Sequence, residues 1–275
     1  MLIKTVSPDA APSLVRKIYT GLFSLIFPDE CRICDKPLRQ VSRVPVCRAC
    51  LAKPEPMAAD YFCIQCRAPF RNAFPLDEEG RCALCRRGVQ GFDAAYSFGF
   101  YEDELRALIH LFKYGRVETL AKPLGRFLAL ALPREQSFDA IVPMPLHWRK
   151  RWQRGFNQAG LLAREVSRRT HTPVRNALRR VRFTATQAGL TNAKRRQNVS
   201  GAFRSKRARL DGQRILLVDD VMTTGATAAS CARALKLAGA RQVVLLTLAR
   251  VDRRMGFDQQ ARDSNYSGST EHAKS

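Results

Sequence analysis

Eight of the nine cysteines stand in four Cys-x-x-Cys pairs: Cys31/Cys34, Cys47/Cys50, Cys63/Cys66 and Cys82/Cys85. Spacers of 12, 12 and 15 residues separate the pairs. Each pair turns two thiolates toward one ion, and two pairs complete a tetrahedral four-sulfur site. The expectation is two structural zinc ions with these eight residues as ligands. A redox use would need a thioredoxin-like βαβ setting, which the surrounding sequence lacks. Iron–sulfur ligation is the remaining alternative. Sequential and interleaved pairing of the four knuckles both remain open. Pro37, Pro45, Pro54, Pro56, Pro69 and Pro75 fall between the knuckles and point to loops with little regular structure. So short a segment has little core of its own, so metal must supply much of its folding energy. Metal removal is therefore expected to unfold residues 31–85 and spare the rest. The ninth cysteine, Cys231, lies in a helical pattern and reads as a small core residue.

Beyond Gly88 the pattern changes to strands alternating with helices. "FDAAYSFGFY", "FDAIVPMP", "RILLVDD" and "RQVVLLTLAR" read as strands. "EDELRALIHLFKYG", "VETLAKPLGRFLALAL", "GFNQAGLLAREVSRRT" and "TGATAASCARALKLAGA" carry helical periodicity, and "ALRRVRFT" reads as a strand or hairpin arm. Such alternation predicts an α/β domain with a mostly parallel sheet.

One of these strands ends unusually, in "RILLVDDVMTTGAT" from Arg214 to Thr227. A buried apolar run leads into two adjacent acids, Asp219 and Asp220, then a Thr/Gly loop, then a helix. Ligands of open α/β sheets gather at the carboxyl ends of strands. A helix starting near Gly225 offers free backbone N–H groups and a positive dipole end to a phosphate. Thr223, Thr224 and Thr227 add hydroxyl donors. The acids repel phosphate, but they accept hydrogen bonds from vicinal hydroxyls such as those of a ribose. The loop thus suits a sugar with phosphate on one side and hydroxyls on the other. A capped strand–helix turn with a solvated acid pair is the bland alternative.

Charge is lopsided. The formal net charge is +23, and His147 to Arg214 holds 19 Lys/Arg against two acids, Glu165 and Asp211. Positive charge this clustered attracts nucleic acid or another polyphosphate. Met1 to Ala11 shows no charged n-region followed by an apolar h-region. The apolar stretch from Leu14 to Phe27, "LVRKIYTGLFSLIF", is shorter than the roughly 20 residues of a membrane span and contains Arg16 and Lys17. It reads as an amphipathic helix ended by Pro28. No transmembrane segment is expected, and the cytoplasm is the default location, where thiols stay reduced. The expected layout is this helix over 1–28, a double zinc ribbon over 29–90, the α/β domain over 91–252 and a disordered tail over 253–275.

The "VDDVMTTGAT" loop resembles the binding signature of type I phosphoribosyltransferases. More of the chain resembles one subgroup, the ComF-like proteins of DNA uptake and utilisation. That resemblance spans an N-terminal helix ending in proline, the Cys-x-x-Cys array, "LIHLFKYG", "VPMPLHWRKRWQRGFNQ", "TQAGLTNAKRRQNVSGAF" and the acid-pair loop, in that order. It implies an α/β fold with a mostly parallel sheet of the type I phosphoribosyltransferase kind, preceded by a small Cys-rich zinc-ribbon module. It also implies 5-phosphoribosyl 1-pyrophosphate as ligand, held with magnesium.

By that resemblance Asp219 and Asp220 hold the ribose hydroxyls, and Val221, Met222, Thr223, Thr224, Gly225, Ala226 and Thr227 form the 5-phosphate loop. Pro143 and Met144 end a strand at the same edge and face the pyrophosphate. Arg154 and Asn157 open the next helix toward the ligand. Thr186 to Asn198 corresponds to a loop that closes over it, with Gln187, Arg196 and Asn198 as contacts. Arg196, Asp219 and Asp220 are the catalytic candidates. Lys113 either reaches the site or is a solvated lysine at a helix end.

Breaking the anomeric bond releases pyrophosphate and leaves positive charge on the sugar, so magnesium and cations would stabilise the leaving group. No motif identifies the nucleophile. Three roles follow: action on internalised single-stranded DNA, transfer of phosphoribosyl to a base or amine, and non-catalytic sensing of the sugar phosphate. For the first, Arg149, Lys150, Arg151, Trp152, Lys194 and Arg195 are the candidate DNA contacts. Proteins of the DNA-uptake machinery are candidate partners. Trp148, Trp152 and Phe156 suit base stacking beside these cations, or belong in part to the core.

Overall fold

β-Strand runs at both ends of the α/β segment build one parallel sheet. The computed structural model describes residues 30–38, 43–88, 91–146, 155–181, 201–206 and 209–251. The chain divides into two compact units, Met1–Lys53 and Pro54–Ser275. In the first, one short helix, α1 (Arg48–Ala52), follows Cys47. The second starts with a small hairpin of β1 (Tyr61–Phe62) and β2 (Pro69–Phe70), then α2 (Ala83–Arg86).

The remaining elements are β3 (Ala94–Phe100), α3 (Asp103–Tyr114), a 3-10 turn (Glu118–Leu120), α4 (Ala121–Ala131) and β4 (Ala140–Pro143). After them come α5 (Gln158–Thr170), β5 (Leu178–Arg180), β6 (Phe203–Ser205), β7 (Arg214–Met222), α6 (Ala226–Lys236) and β8 (Gln242–Arg250). Every strand and helix predicted from Phe92 onward is present, shifted only at its ends. The "ALRRVRFT" segment is the hairpin arm β5, paired antiparallel with β6.

Four strands form the main sheet in the order β3-β8-β7-β4, all parallel. β7 and β8 are its centre and are covered on both faces, which explains their unbroken apolar runs. Ile215, Leu216, Leu217 and Val218 are fully buried, as are Val243, Val244 and Leu246. Each such side chain contributes about 1.5–3 kcal/mol by leaving water. α4 packs on β3 and β8, and α5 packs on β4 and β7. α6 packs against β5, β6, β7 and β8.

The second half of the cysteine array belongs to this unit. Cys63, Cys66, Cys82 and Cys85 share one buried cluster with Ala95, Ile215, Leu217, Val243, Leu245 and the α6 residues Cys231 and Leu235. Cys231 is fully buried, as expected of a core residue.

Candidate functional site

The parallel arrangement brings the carboxyl ends of β4 and β7 to one edge. Met144 donates its backbone N–H to Val218 O at 2.8 Å, which locks the chain leaving β4 beside β7. Asn157, the N-cap residue of α5, donates from Nδ2 to Met144 O at 3.1 Å. The start of α5 is thereby held against the same edge. A cleft of about 170 Å³ opens there, lined by Lys113, Met144, Asn157, Arg180, Asp219, Asp220 and Thr227 among others.

Strand alternation sends the two adjacent acids to opposite faces of β7. Asp220 is buried and pairs with Lys113, whose Nζ lies 2.8 Å from Oδ1. Burial works to lower the Lys113 pKa, but the Asp220 carboxylate outweighs it, helped by Asp219, and the pKa is raised above 10.5. Asp219 takes the other face, in register with Thr247 of β8, and accepts from the Asp220 N–H at 2.9 Å. Opposite faces and a nearby ammonium make the like-charge neighbours compatible.

Past Met222 the chain turns through Thr223 and Thr224 into Gly225, which has φ of +75°. A left-handed residue is needed to start α6 here, and glycine takes that conformation without a steric penalty. Thr224 Oγ1 accepts from Ala226 N at 3.4 Å, and Ala229 N donates to Gly225 O at 2.8 Å. The loop therefore presents the first turn of α6, with its backbone N–H groups, beside both acids.

Several predicted residues thus converge: Met144, Asn157, Asp219, Asp220 and Thr227 line the cleft. Val221, Met222, Thr223, Gly225 and Ala226 line a smaller adjoining pocket with Asp219 and Thr247. Pro143 is buried at the end of β4. Lys113 reaches the site as an ion-pair partner instead of being a solvated lysine. Phe156 is core, its ring centroid 5.6 Å from that of Phe112. Arg149, Lys150, Arg151, Trp152, Arg154, Gln187, Lys194, Arg195, Arg196 and Asn198 lie outside the described residues, as do His147 and Trp148.

Two polar residues of the cleft, Gln158 and Arg180, escaped the sequence reading. Gln158 is buried at the first position of α5. Arg180 lies at the end of β5, its guanidinium 5.3 Å from the Phe203 ring centroid. Burial lowers its pKa from the ordinary guanidinium value, but an arginine stays charged across the physiological range. Only the pairing of β5 with β6 in the structure shows which of two successive arginines turns inward.

The cysteines form two sequential groups, Cys31/Cys34/Cys47/Cys50 and Cys63/Cys66/Cys82/Cys85. Within each, all four Sγ atoms lie within 4.8 Å of one another. The two groups repeat in detail. Cys31 N donates to Lys36 O and Cys63 N to Ala68 O, both at 2.9 Å. Asp35 and Arg67 take the matching left-handed position, with φ of 55° and 51°. Cys47 N lies 3.3 Å from Cys31 Sγ, and Cys82 N lies 3.3 Å from Cys63 Sγ. A short helix follows the third cysteine in both. Backbone N–H groups aimed at sulfur stabilise thiolates, so both sets fit a tetrahedral zinc ion. All nine cysteines are unbridged. No described helix is long and apolar enough to cross a membrane.

Comparison with known proteins agrees with this geometry. The family described as "Phosphoribosyl transferase domain" matches residues 153–266. Competence protein F of Haemophilus influenzae is 34% identical over 178 residues, covering 62% of this chain and 78% of that protein. DNA utilization protein YhgH of Escherichia coli O157:H7 is 32% identical over 233 residues, covering 82% of this chain and 99% of that protein. Among solved structures, glutamine phosphoribosylpyrophosphate amidotransferase from B. subtilis is similar at 22% identity and a TM-score of 0.33. That similarity covers 47% of this chain, which spans only 26% of the larger protein. With two four-cysteine groups ahead of a parallel phosphoribosyltransferase-type sheet, and with 32% identity across 99% of a DNA utilization protein, the chain belongs to the ComF-like family.

Proposed function

We propose that this protein binds 5-phosphoribosyl 1-pyrophosphate with magnesium at the β7–α6 loop and acts on single-stranded DNA in the cytoplasm. One observation carries the ligand assignment. Two acids stand near the carboxyl end of a central parallel strand, which leads through a short loop to a left-handed glycine and the first turn of a helix. Asp219 and Asp220 are the hydroxyl acceptors of this reading, and Thr223 to Thr227 the phosphate cradle. Lys113 and Arg180 are cations facing the same cleft and suit the pyrophosphate. Magnesium, when bound with the ligand, would neutralise pyrophosphate charge. Zinc in the two four-cysteine groups would be structural.

The DNA part rests on the family and on charge. Relatives carry the names competence protein and DNA utilization protein. The segment from His147 to Arg214, with 19 Lys/Arg against two acids, carries most of the net charge, and clustered cations attract a phosphate backbone.

Phosphorus NMR tests the ligand assignment. With magnesium present, the 5-phosphate and pyrophosphate resonances should both broaden or shift as protein is added. Unchanged resonances at stoichiometric protein would overturn the reading.

A further inference from the structure

The two four-cysteine groups repeat locally, yet the second has a neighbour that the local repeat does not supply. Arg250, the last residue of β8, is buried at 8% exposure. Its Nη1 donates to Cys66 O at 2.5 Å, and its Nη2 lies 3.8 Å from Cys66 Sγ. The same Nη1 lies 3.8 Å from Met222 Sδ. Met222 is the residue in register with Arg250 across the β7–β8 ladder, and Val251 N donates to Met222 O at 3.0 Å. One guanidinium therefore touches both a cysteine of the metal group and the residue from which the Thr223–Thr227 loop departs.

Electrostatics gives this contact its meaning. Removing a guanidinium from water is costly unless an opposite charge compensates it. The side-chain partners of Arg250 are one carbonyl and two sulfurs; among the described residues no carboxylate pairs with it. Four thiolates around a divalent ion leave a net charge of about −2, which is the compensation this arginine needs. Hydrogen bonds and charges just outside a metal's ligands orient those ligands and tune metal affinity.

We propose that Arg250 is a positioning residue that ties the metal state of the Cys63/Cys66/Cys82/Cys85 group to the β7–α6 loop. Metal in this group holds the guanidinium, and the guanidinium holds Met222 at the root of the loop. The group is thus a structural support of the ligand site and not only of its own ribbon. The tie concerns the loop's order and is independent of which ligand the loop binds.

The test uses the full zinc-loaded chain and needs no sugar phosphate. Zinc release to a chromogenic chelator is followed for wild type, Arg250→Lys and Arg250→Met. Hydrogen exchange is measured in parallel on peptides spanning β7 and the start of α6. Arg250→Met should release one of two zinc equivalents about tenfold faster, and exchange in the loop peptides should rise. Arg250→Lys should restore both in part, because it keeps the charge. Should Arg250→Met fail to fold, wild type titrated with chelator supplies the same readout. Loop exchange should then rise with loss of the zinc held by Cys63, Cys66, Cys82 and Cys85. In Cys31→Ser it should stay at the wild-type level. Equal zinc release in all three proteins, or loop exchange indifferent to that zinc, would overturn the proposal.

Discussion

Lys113 Nζ sits 2.8 Å from Asp220 Oδ1, and the two side chains are only 14% and 12% exposed. The last turn of α3 is thereby joined to the carboxyl end of β7. A buried pair of this kind is costly to break from one side, because the remaining charge loses its partner. Lys113→Met is expected to destabilise the α/β unit by about 2–4 kcal/mol, measured by chemical denaturation. Lys113→Met with Asp220→Asn should recover part of that loss, which a double-mutant cycle reads directly.

The same pair has a defined pH range. The folded Lys113 pKa is raised above its ordinary 10.5. Its contribution to stability is therefore complete below the ordinary value and lost as pH rises through the raised one. Stability curves of wild type and Lys113→Met should run parallel from pH 7 to 9 and converge only in strong alkali.

Metal retention has the opposite sign. Burial raises the Cys31 thiol, but the backbone N–H of Cys47 and its own knuckle bring it down from 9.0 to about 6. In the other group Cys63 pushes the Cys82 thiol up, but hydrogen bonds with Cys66 and Cys85 bring it from 9.0 to about 6. A lowered thiol favours the folded, ligating form above its unfolded value and loses that advantage as pH falls through the folded one. Zinc should stay bound at pH 8 and be released in acid, where protons compete with the metal for the thiolates, followed by metal analysis after gel filtration.

Unlike consequences are expected from the two cysteine groups. Cys63 shares a buried cluster with the sheet, whereas Cys31 lies in the unit that ends at Lys53. Cys63→Ser should lower the main thermal transition markedly, by ten degrees or more on the scale of about 4 °C per kcal/mol. Cys31→Ser should leave that transition within about 2 °C. Calorimetric scans of both variants check this.

The loop itself depends on Gly225. A β-branched side chain at φ of +75° is strained, so Gly225→Val should cost about 1–2 kcal/mol and distort the cradle. Its affinity for inorganic phosphate should fall at least as much as its stability, by isothermal titration at fixed temperature.

Much of this was legible in the chain. The apolar runs Ile215–Val218 and Val243–Leu246 fit only strands buried on both faces, and their alternation with helices fixed the sheet type. The acid pair with its Thr/Gly loop stood out because the bland reading explains one acid and not two. Lys113 was ambiguous, since a lysine at a helix end is normally solvated; only the packing of α3 shows that it meets Asp220. Arg180 was hidden inside a basic run, where no periodicity separates an inward arginine from its outward neighbours. The unequal fates of the cysteine groups were illegible for a different reason. Their local spacings are alike, and the residue that distinguishes the second is Arg250, 184 positions beyond Cys66.

Calorimetry with 5-phosphoribosyl 1-pyrophosphate and magnesium tests the central claim most directly, on wild type and on Asp219→Asn/Asp220→Asn. Replacing both carboxylates by amides removes their charge and one acceptor oxygen from each, with almost no change in side-chain size. Wild type should bind with one site per chain, and the double variant should bind at least about tenfold more weakly, a loss of about 1.4 kcal/mol or more. Equal affinity in the two proteins, or no binding to wild type, would contradict the assignment of this loop as a sugar-phosphate site.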